Sequence, residues 1–176
     1  PGFGQSEKPD SSWGLAEYAS WVIEFMQKVG VGKPYAVVGH SNGGAIALKL
    51  ASSGYDMDKL VLLGASGIRK RSVGKKFIYK TVAKTGKVAT RMLPKKVRTS
   101  IRDKWYKRIG SELYHAPGME LTFKKITSED LLLEANMIST PTLLVYGAQD
   151  EATPVLFGRL YHEAIEGSEL DIVENA

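Results

Sequence analysis

Two residues in this chain are of types that nucleophilic catalysis can combine, a serine in a glycine-rich turn and an aspartate after an apolar run. The serine is Ser41, inside Gly39-His40-Ser41-Asn42-Gly43-Gly44. An apolar run, Tyr35-Ala36-Val37-Val38, precedes it, and a helix-like run, Ala45 to Leu50, follows. Strand, tight turn and helix in that order make a nucleophile elbow, in which a strained backbone holds the serine hydroxyl out from the strand ends. Gly39 and Gly43 are expected where strand and helix backbones pass too close for side chains. The competing explanation is a glycine-rich turn whose serine merely caps the helix, which accounts for Ser41 but for neither glycine. The aspartate is Asp150, in Gly147-Ala148-Gln149-Asp150 after the apolar run Thr142 to Tyr146. A carboxylate there is suited to accept the N–H of a histidine and hold it against a nucleophile. Read alone, Asp150 is better explained as a turn or helix-capping residue, and beside Ser41 in this topology the balance reverses.

The elements that would position these residues alternate along the chain. Leu15, Tyr18, Ala19, Val22, Phe25, Met26 and Val29 recur at helical spacing, and Gly30 ends the run. Short apolar stretches at Tyr35–Gly39, Lys59–Leu63, Thr142–Tyr146 and Leu170–Val173 read as strands. Helices are expected from Asn42 to Ser53 and from Val155 to Ile165. Buried strands alternating with helices indicate an α/β fold with a mostly parallel sheet. In such sheets chemistry gathers at the carboxyl ends of the strands, where Ser41 and Asp150 both stand.

Residues 68–138 break the alternation with helical patterns only. From Lys76 to Leu93 a helical projection gathers Phe77, Ile78, Val82, Val88, Ala89, Met92 and Leu93 on one side. Lys76, Lys80, Lys84, Lys87 and Arg91 gather on the other, and Pro94 stops the run. Val97, Ile101, Trp105 and Ile109 suggest a second helix. The chain of 176 residues has a formal net charge of +5, yet residues 69–108 alone carry 16 basic side chains and one acidic one, Asp103. Such a division suggests an inserted unit with a surface role of its own. A solvated basic face accounts for it most simply; attraction to an anionic lipid surface is the functional alternative, and steering of anionic substrates another. Nucleic-acid binding is not expected, because no binding motif accompanies the charge.

Composition narrows the chemistry. The chain has no cysteine, which removes disulfides, thiol catalysis and cysteine-bound metals. Its three histidines, His40, His115 and His162, lie far apart and show no metal-ligand spacing. No apolar run approaches the roughly 18 residues of a membrane span. A cytoplasmic protein is the default expectation, with the qualification that the chain begins at Pro1 rather than Met.

Pro1-Gly2-Phe3-Gly4-Gln5-Ser6, Gly39-His40-Ser41-Asn42-Gly43-Gly44 and Pro141 to Asp150 resemble three successive landmarks of the α/β-hydrolase fold family. The resemblance implies a hydrolase core at 1–67 and 139–176, with 68–138 as its helical cap. It implies Ser41 as nucleophile, Asp150 as the acid of the triad, and the backbone N–H of Asn42 as one oxyanion donor. His40 falls at the variable position before the serine and is not expected to be the base. Serine at the elbow, rather than aspartate, argues against the dehalogenase and epoxide-hydrolase branches. The expected activity is hydrolysis of a carboxylic ester or related acyl compound through an acyl-enzyme, without metal or organic cofactor. Carbon–carbon bond hydrolysis on the same fold is one alternative. A non-catalytic membrane-surface or interaction protein using the basic cap is another.

Two parts of the family pattern are missing from the sequence. The family has strands ahead of the Pro1 loop, including the one whose loop supplies a second oxyanion N–H. Its catalytic histidine follows the last strand, which here would be near position 178. His162, inside a helix, and His115, in the cap, are expected to be ordinary side chains. The chain is therefore expected to be an internal piece of a longer hydrolase, with little turnover by itself and with an open edge at the Tyr35–Gly39 strand.

Overall fold

In the computed structural model the described residues are 1–69 and 118–176. The helices expected at 76–93 and 97–109, His115, and most of the 68–138 segment lie outside them. Pro1–Asp10 and residues 118–120 belong to one compact unit, and Ser11–Arg69 with Leu121–Ala176 to another. In the first, the Gly2 N–H donates to the Glu7 carbonyl (2.8 Å) and closes the opening loop on itself.

The second unit carries the sheet. Its strands are β1 (Ala36–His40), β2 (Lys59–Leu63), β3 (Thr142–Gly147) and β4 (Glu169–Val173). They lie in the order β1-β2-β3-β4, every pair parallel. Parallel neighbours need a crossover between them. Helix α2 (Asn42–Ser52) returns the chain from β1 to β2. A later helix, Val155–Ala164, does the same from β3 to β4. Because all strands run one way, the segments that leave them emerge on one edge. Leu60, Leu62, Leu144 and Tyr146 are fully buried on one face of the middle strands, while on the other Val61, Leu63 and Val145 are half-buried and Leu143 is exposed. Among the described residues β1 and β4 are the sheet edges, and Val38 on β1 is 62% exposed.

Helix α1 spans Leu15–Lys28, as the spacing predicts, and Gly30 follows it at φ +75. Two carboxylates satisfy its first amides. Glu17 Oε2 accepts from the Gly14 N–H (2.8 Å), and Glu129 Oε1 from the Leu15 N–H (2.9 Å). Leu15, Tyr18 and Ala19 are buried, whereas Phe25 and Val29 at the other end of the expected apolar face are exposed. Phe25 instead stacks on Trp21, their rings 5.5 Å apart. Two short helices, α3 (Glu120–Ile126) and α4 (Leu132–Ala135), precede β3, which makes Val155–Ala164 α5. Among the described residues no helix is long and apolar enough to cross a membrane.

Candidate active site at the carboxyl ends of the strands

Ser41 connects β1 to α2 with φ +51 and ψ −118, and it is the single non-glycine residue at positive φ among those described. An L-residue enters that region only when its surroundings force it to. Its peptide is fixed from both sides. The Ser41 N–H donates to the Leu63 carbonyl (3.0 Å), and the Ser41 carbonyl accepts from the N–H groups of Ala45 (3.2 Å) and Ser66 (3.1 Å). Ser66 Oγ adds a further donor at 3.3 Å. The Ser41 side chain makes no capping hydrogen bond to α2, so a helix cap does not explain this serine. The hydroxyl is left available at the helix N-terminus, next to the Asn42 N–H, which opens the helix and has no acceptor among the described residues.

The glycines around the elbow divide differently from the sequence expectation. A Cβ on Gly39 would stand 2.5 Å from the Gly43 carbonyl oxygen and 2.7 Å from Gly44 Cα. A Cβ on Gly43 would meet nothing within 4 Å. The second crowded position is Gly44, where a Cβ would come within 2.6 Å of Ala65 Cβ. Gly43 thus supplies backbone that Gly39 must clear. It is Gly44 that lets α2 press onto the segment after β2. Helical periodicity could have singled out Gly44, since it begins the buried face continued by Ala45, Ala47 and Leu48.

Asp150 sits in the turn between β3 and α5. Its Oδ1 accepts from the N–H groups of Ala152 (2.8 Å) and Thr153 (2.9 Å), and its Oδ2 from Thr153 Oγ1 (2.6 Å). Burial alone would push this carboxyl up. The hydrogen bonds from Thr153 and Ala152, with a minor pull from His40, outweigh burial and hold it below the usual aspartate range. The carboxylate faces Gly64, whose absent Cβ would lie 3.4 Å from Oδ2. Gly64 directly follows β2, the strand between those that lead into Ser41 and Asp150. Two strand spacings separate the serine and aspartate turns, roughly 10 Å. An imidazole reaching from a carboxylate to a hydroxyl fits a gap of that order.

The described histidines stand apart from that gap in their bonding. His162 Nδ1 lies 2.9 Å from Ser168 Oγ, at the far end of α5. His40 is exposed and ends β1. Three contributors were not legible from residue spacing: Thr153 beside Asp150, and two buried tyrosines behind the elbow. Tyr146 Oη donates to the Ala65 carbonyl (2.9 Å) and Tyr161 Oη to the Ser66 carbonyl (2.8 Å).

The comparisons bear on the fold that carries these residues. A family model of the alpha/beta hydrolase fold matches residues 1–125. The AB hydrolase superfamily protein YisY of Bacillus subtilis (strain 168) is 29% identical over 192 residues, covering 96% of this chain and 68% of that protein. An uncharacterized protein of Mycobacterium tuberculosis (strain ATCC 25618 / H37Rv) is 22% identical over 209 residues, covering 99% of this chain and 59% of its own length. Among solved structures, an esterase from Exiguobacterium antarcticum superposes with a TM-score of 0.69 at 24% identity, over 98% of this chain and 70% of that one. A bromoperoxidase from Bacillus anthracis gives 0.65 at 19% identity, over 98% and 70% respectively. These structures share the fold. A strained serine between strand and helix, an aspartate two strands away on the same sheet edge, and a family match over most of its length together make the chain a member of the α/β-hydrolase fold family.

Proposed function

We propose that this chain carries the nucleophile and the acid of a serine hydrolase acting on a carboxylic ester or related acyl compound. The observation that carries the reading is the conformation of Ser41, strained at φ +51 with its hydroxyl unused by the helix it precedes. In the proposed reaction a histidine takes the Ser41 proton as Oγ attacks the carbonyl carbon. Asp150 holds that imidazole in the useful tautomer and stabilises its charge, and the Asn42 N–H donates to the developing oxyanion. Collapse expels the alcohol, which takes the proton from the imidazolium, and water then releases the acid from Ser41 by the same route.

The base is the remaining part. The Gln149 N–H donates to the Ala176 carbonyl (2.7 Å), so the segment after β4 lies alongside the Asp150 turn. In a longer chain, residues following Ala176 start from that point, and a histidine near position 178 would be within reach of Asp150. The test is fluorophosphonate labelling of a protein extended at both ends, with and without Ser41→Ala. Labelling that disappears in the variant supports the reading; equal labelling of both overturns it. Carbon–carbon bond hydrolysis on the same residues predicts turnover of a vinylogous diketone in preference to p-nitrophenyl esters.

A second reading rests on the charge of 69–108. That segment is proposed to attract an anionic membrane surface. Co-sedimentation with anionic but not neutral vesicles would support it, and equal recovery with both would remove it.

A further inference from the structure

The loop Gly64-Ala65-Ser66-Gly67 lies between the two halves of the candidate site and touches both. On one side, Ser66 holds the Ser41 carbonyl with its N–H and its Oγ. On the other side, two consecutive carbonyls of the loop are each taken by a tyrosine hydroxyl, Ala65 by Tyr146 and Ser66 by Tyr161. Those tyrosines stand on the two elements that the Asp150 turn joins: Tyr146 is on β3, just before the turn, and Tyr161 is on α5, in its second half. Both are fully buried. Burial pushes both hydroxyls well above the usual tyrosine range, so each remains a protonated donor at any working pH.

The loop has few ways to move. Gly64 and Gly67 both sit at positive φ, Ala65 is fully buried against Gly44, and the Leu131 N–H donates to the Gly67 carbonyl (2.7 Å). We propose that Tyr146 and Tyr161 are positioning residues that lock the arm carrying Asp150 to the loop holding Ser41, so that acid and nucleophile keep one mutual geometry. The chain of contacts runs from the Asp150 arm through the two hydroxyls to Ala65 and Ser66, and from Ser66 to the strained Ser41 peptide. Removing the Tyr146 hydroxyl leaves the buried Ala65 carbonyl without its donor, and removing that of Tyr161 does the same to the half-buried Ser66 carbonyl, a defect that favours a shift of the loop. The hold of Ser66 on the Ser41 carbonyl then weakens, leaving the Ala45 N–H and the Leu63 carbonyl to keep the serine in its unfavourable conformation.

The inference rests on reading Ser41 and Asp150 as nucleophile and acid, but its test needs no turnover. Backbone amide hydrogen exchange, resolved by NMR, is compared for the unmodified chain, Tyr146→Phe, Tyr161→Phe and Ser66→Ala. In each tyrosine variant, exchange at Ser41 and at Thr153 is expected to accelerate together by about tenfold. Amides of the β2–β3 ladder should keep their rates. Ser66→Ala removes the Oγ donor and keeps the N–H, so it should loosen Ser41 by less than either tyrosine variant does and leave Thr153 alone. Unchanged exchange at Ser41 in both tyrosine variants overturns the proposal. So does equal acceleration throughout the sheet, which marks a merely structural role. Should the tyrosine variants not fold, Ser66→Ala decides through the one donor it removes: faster exchange confined to Ser41 supports the hold of Ser66 on the elbow, and an unchanged rate overturns it. Failure of fluorophosphonate labelling counts against the nucleophile and not against this coupling, while uncoupled exchange counts against the coupling alone.

Discussion

Thr153 grips Asp150 with two donors, its N–H on Oδ1 at 2.9 Å and its Oγ1 on Oδ2 at 2.6 Å. Both favour the ionised carboxylate, and the group titrates below the usual aspartate range despite burial working the other way. A folded-state pKa lower than the unfolded value, about 3.9, adds stability that is complete above that value. The contribution is lost as pH falls through the folded-state pKa. Thr153→Val removes the hydroxyl at similar volume and should move the Asp150 midpoint upward, read from carboxyl carbon shifts in an acid titration. Thr153→Ser should leave the midpoint close to that of the parent. No difference between Val and Ser would show that the hydroxyl has no such effect.

The elbow should be a site where function opposes stability. Relief of a positive-φ strain is worth about 1–3 kcal/mol, against about 0.5–1 kcal/mol for the extra freedom of glycine in the unfolded chain. Ser41→Gly is therefore expected to be more stable than the parent by about 1 kcal/mol. Ser41→Ala keeps a Cβ at the same φ and should gain little. Urea unfolding of the three proteins is the measurement, and a Gly variant no more stable than the Ala variant would contradict it.

The three elbow glycines should respond unequally to one added methyl. Gly39→Ala and Gly44→Ala drive a Cβ to within 2.5 Å and 2.6 Å of fixed atoms, the first of them backbone. Each should destabilise by about 1–3 kcal/mol or more, as overpacking does. Gly43→Ala meets open space inside the first turn of α2 and should be neutral or stabilising by up to about 1 kcal/mol. Unfolding midpoints check the order; a Gly43→Ala loss comparable to the other two would refute it.

Lys49 on α2 and Glu134 on α4 form an ion pair at 2.9 Å, with side chains 25% and 31% exposed. A double-mutant cycle with alanine at both positions should give a coupling of about 0.5–1 kcal/mol, shrinking as salt is raised. Coupling indistinguishable from zero at low salt would mean that the pair does not help hold α4 to α2.

The elements that place the site were legible in the sequence for a simple reason. The middle strands are continuous apolar runs, buried on one face and half-covered on most of the other, and the turns that leave them carry glycine and aspartate. Lys59–Leu63 was readable to the residue, and the other three strands to within one at each end. Ser41 was readable because a strand-turn-helix context demands a special backbone at one position. What holds these turns was not legible. The Tyr146 and Tyr161 bonds join residues 81 and 95 positions apart, and a tyrosine in an apolar run looks the same whether or not its hydroxyl finds a carbonyl. The error at Gly43 has a similar origin. Sequence spacing shows where glycine occurs but not the direction in which its missing Cβ would have pointed.

The packing of Gly44 on Ala65 has a consequence for tracing such elbows through diverged sequences. The space between α2 and the loop after β2 is one methyl group deep, and Ala65 already fills it. Position 43 is sterically free to vary, while 44 and 65 are confined to small residues that must change together if either changes. A pattern that demands glycine two places after the serine inspects the permissive position. One that asks for glycine three places after it, matched with a small residue behind β2, follows the contact that physically closes the turn.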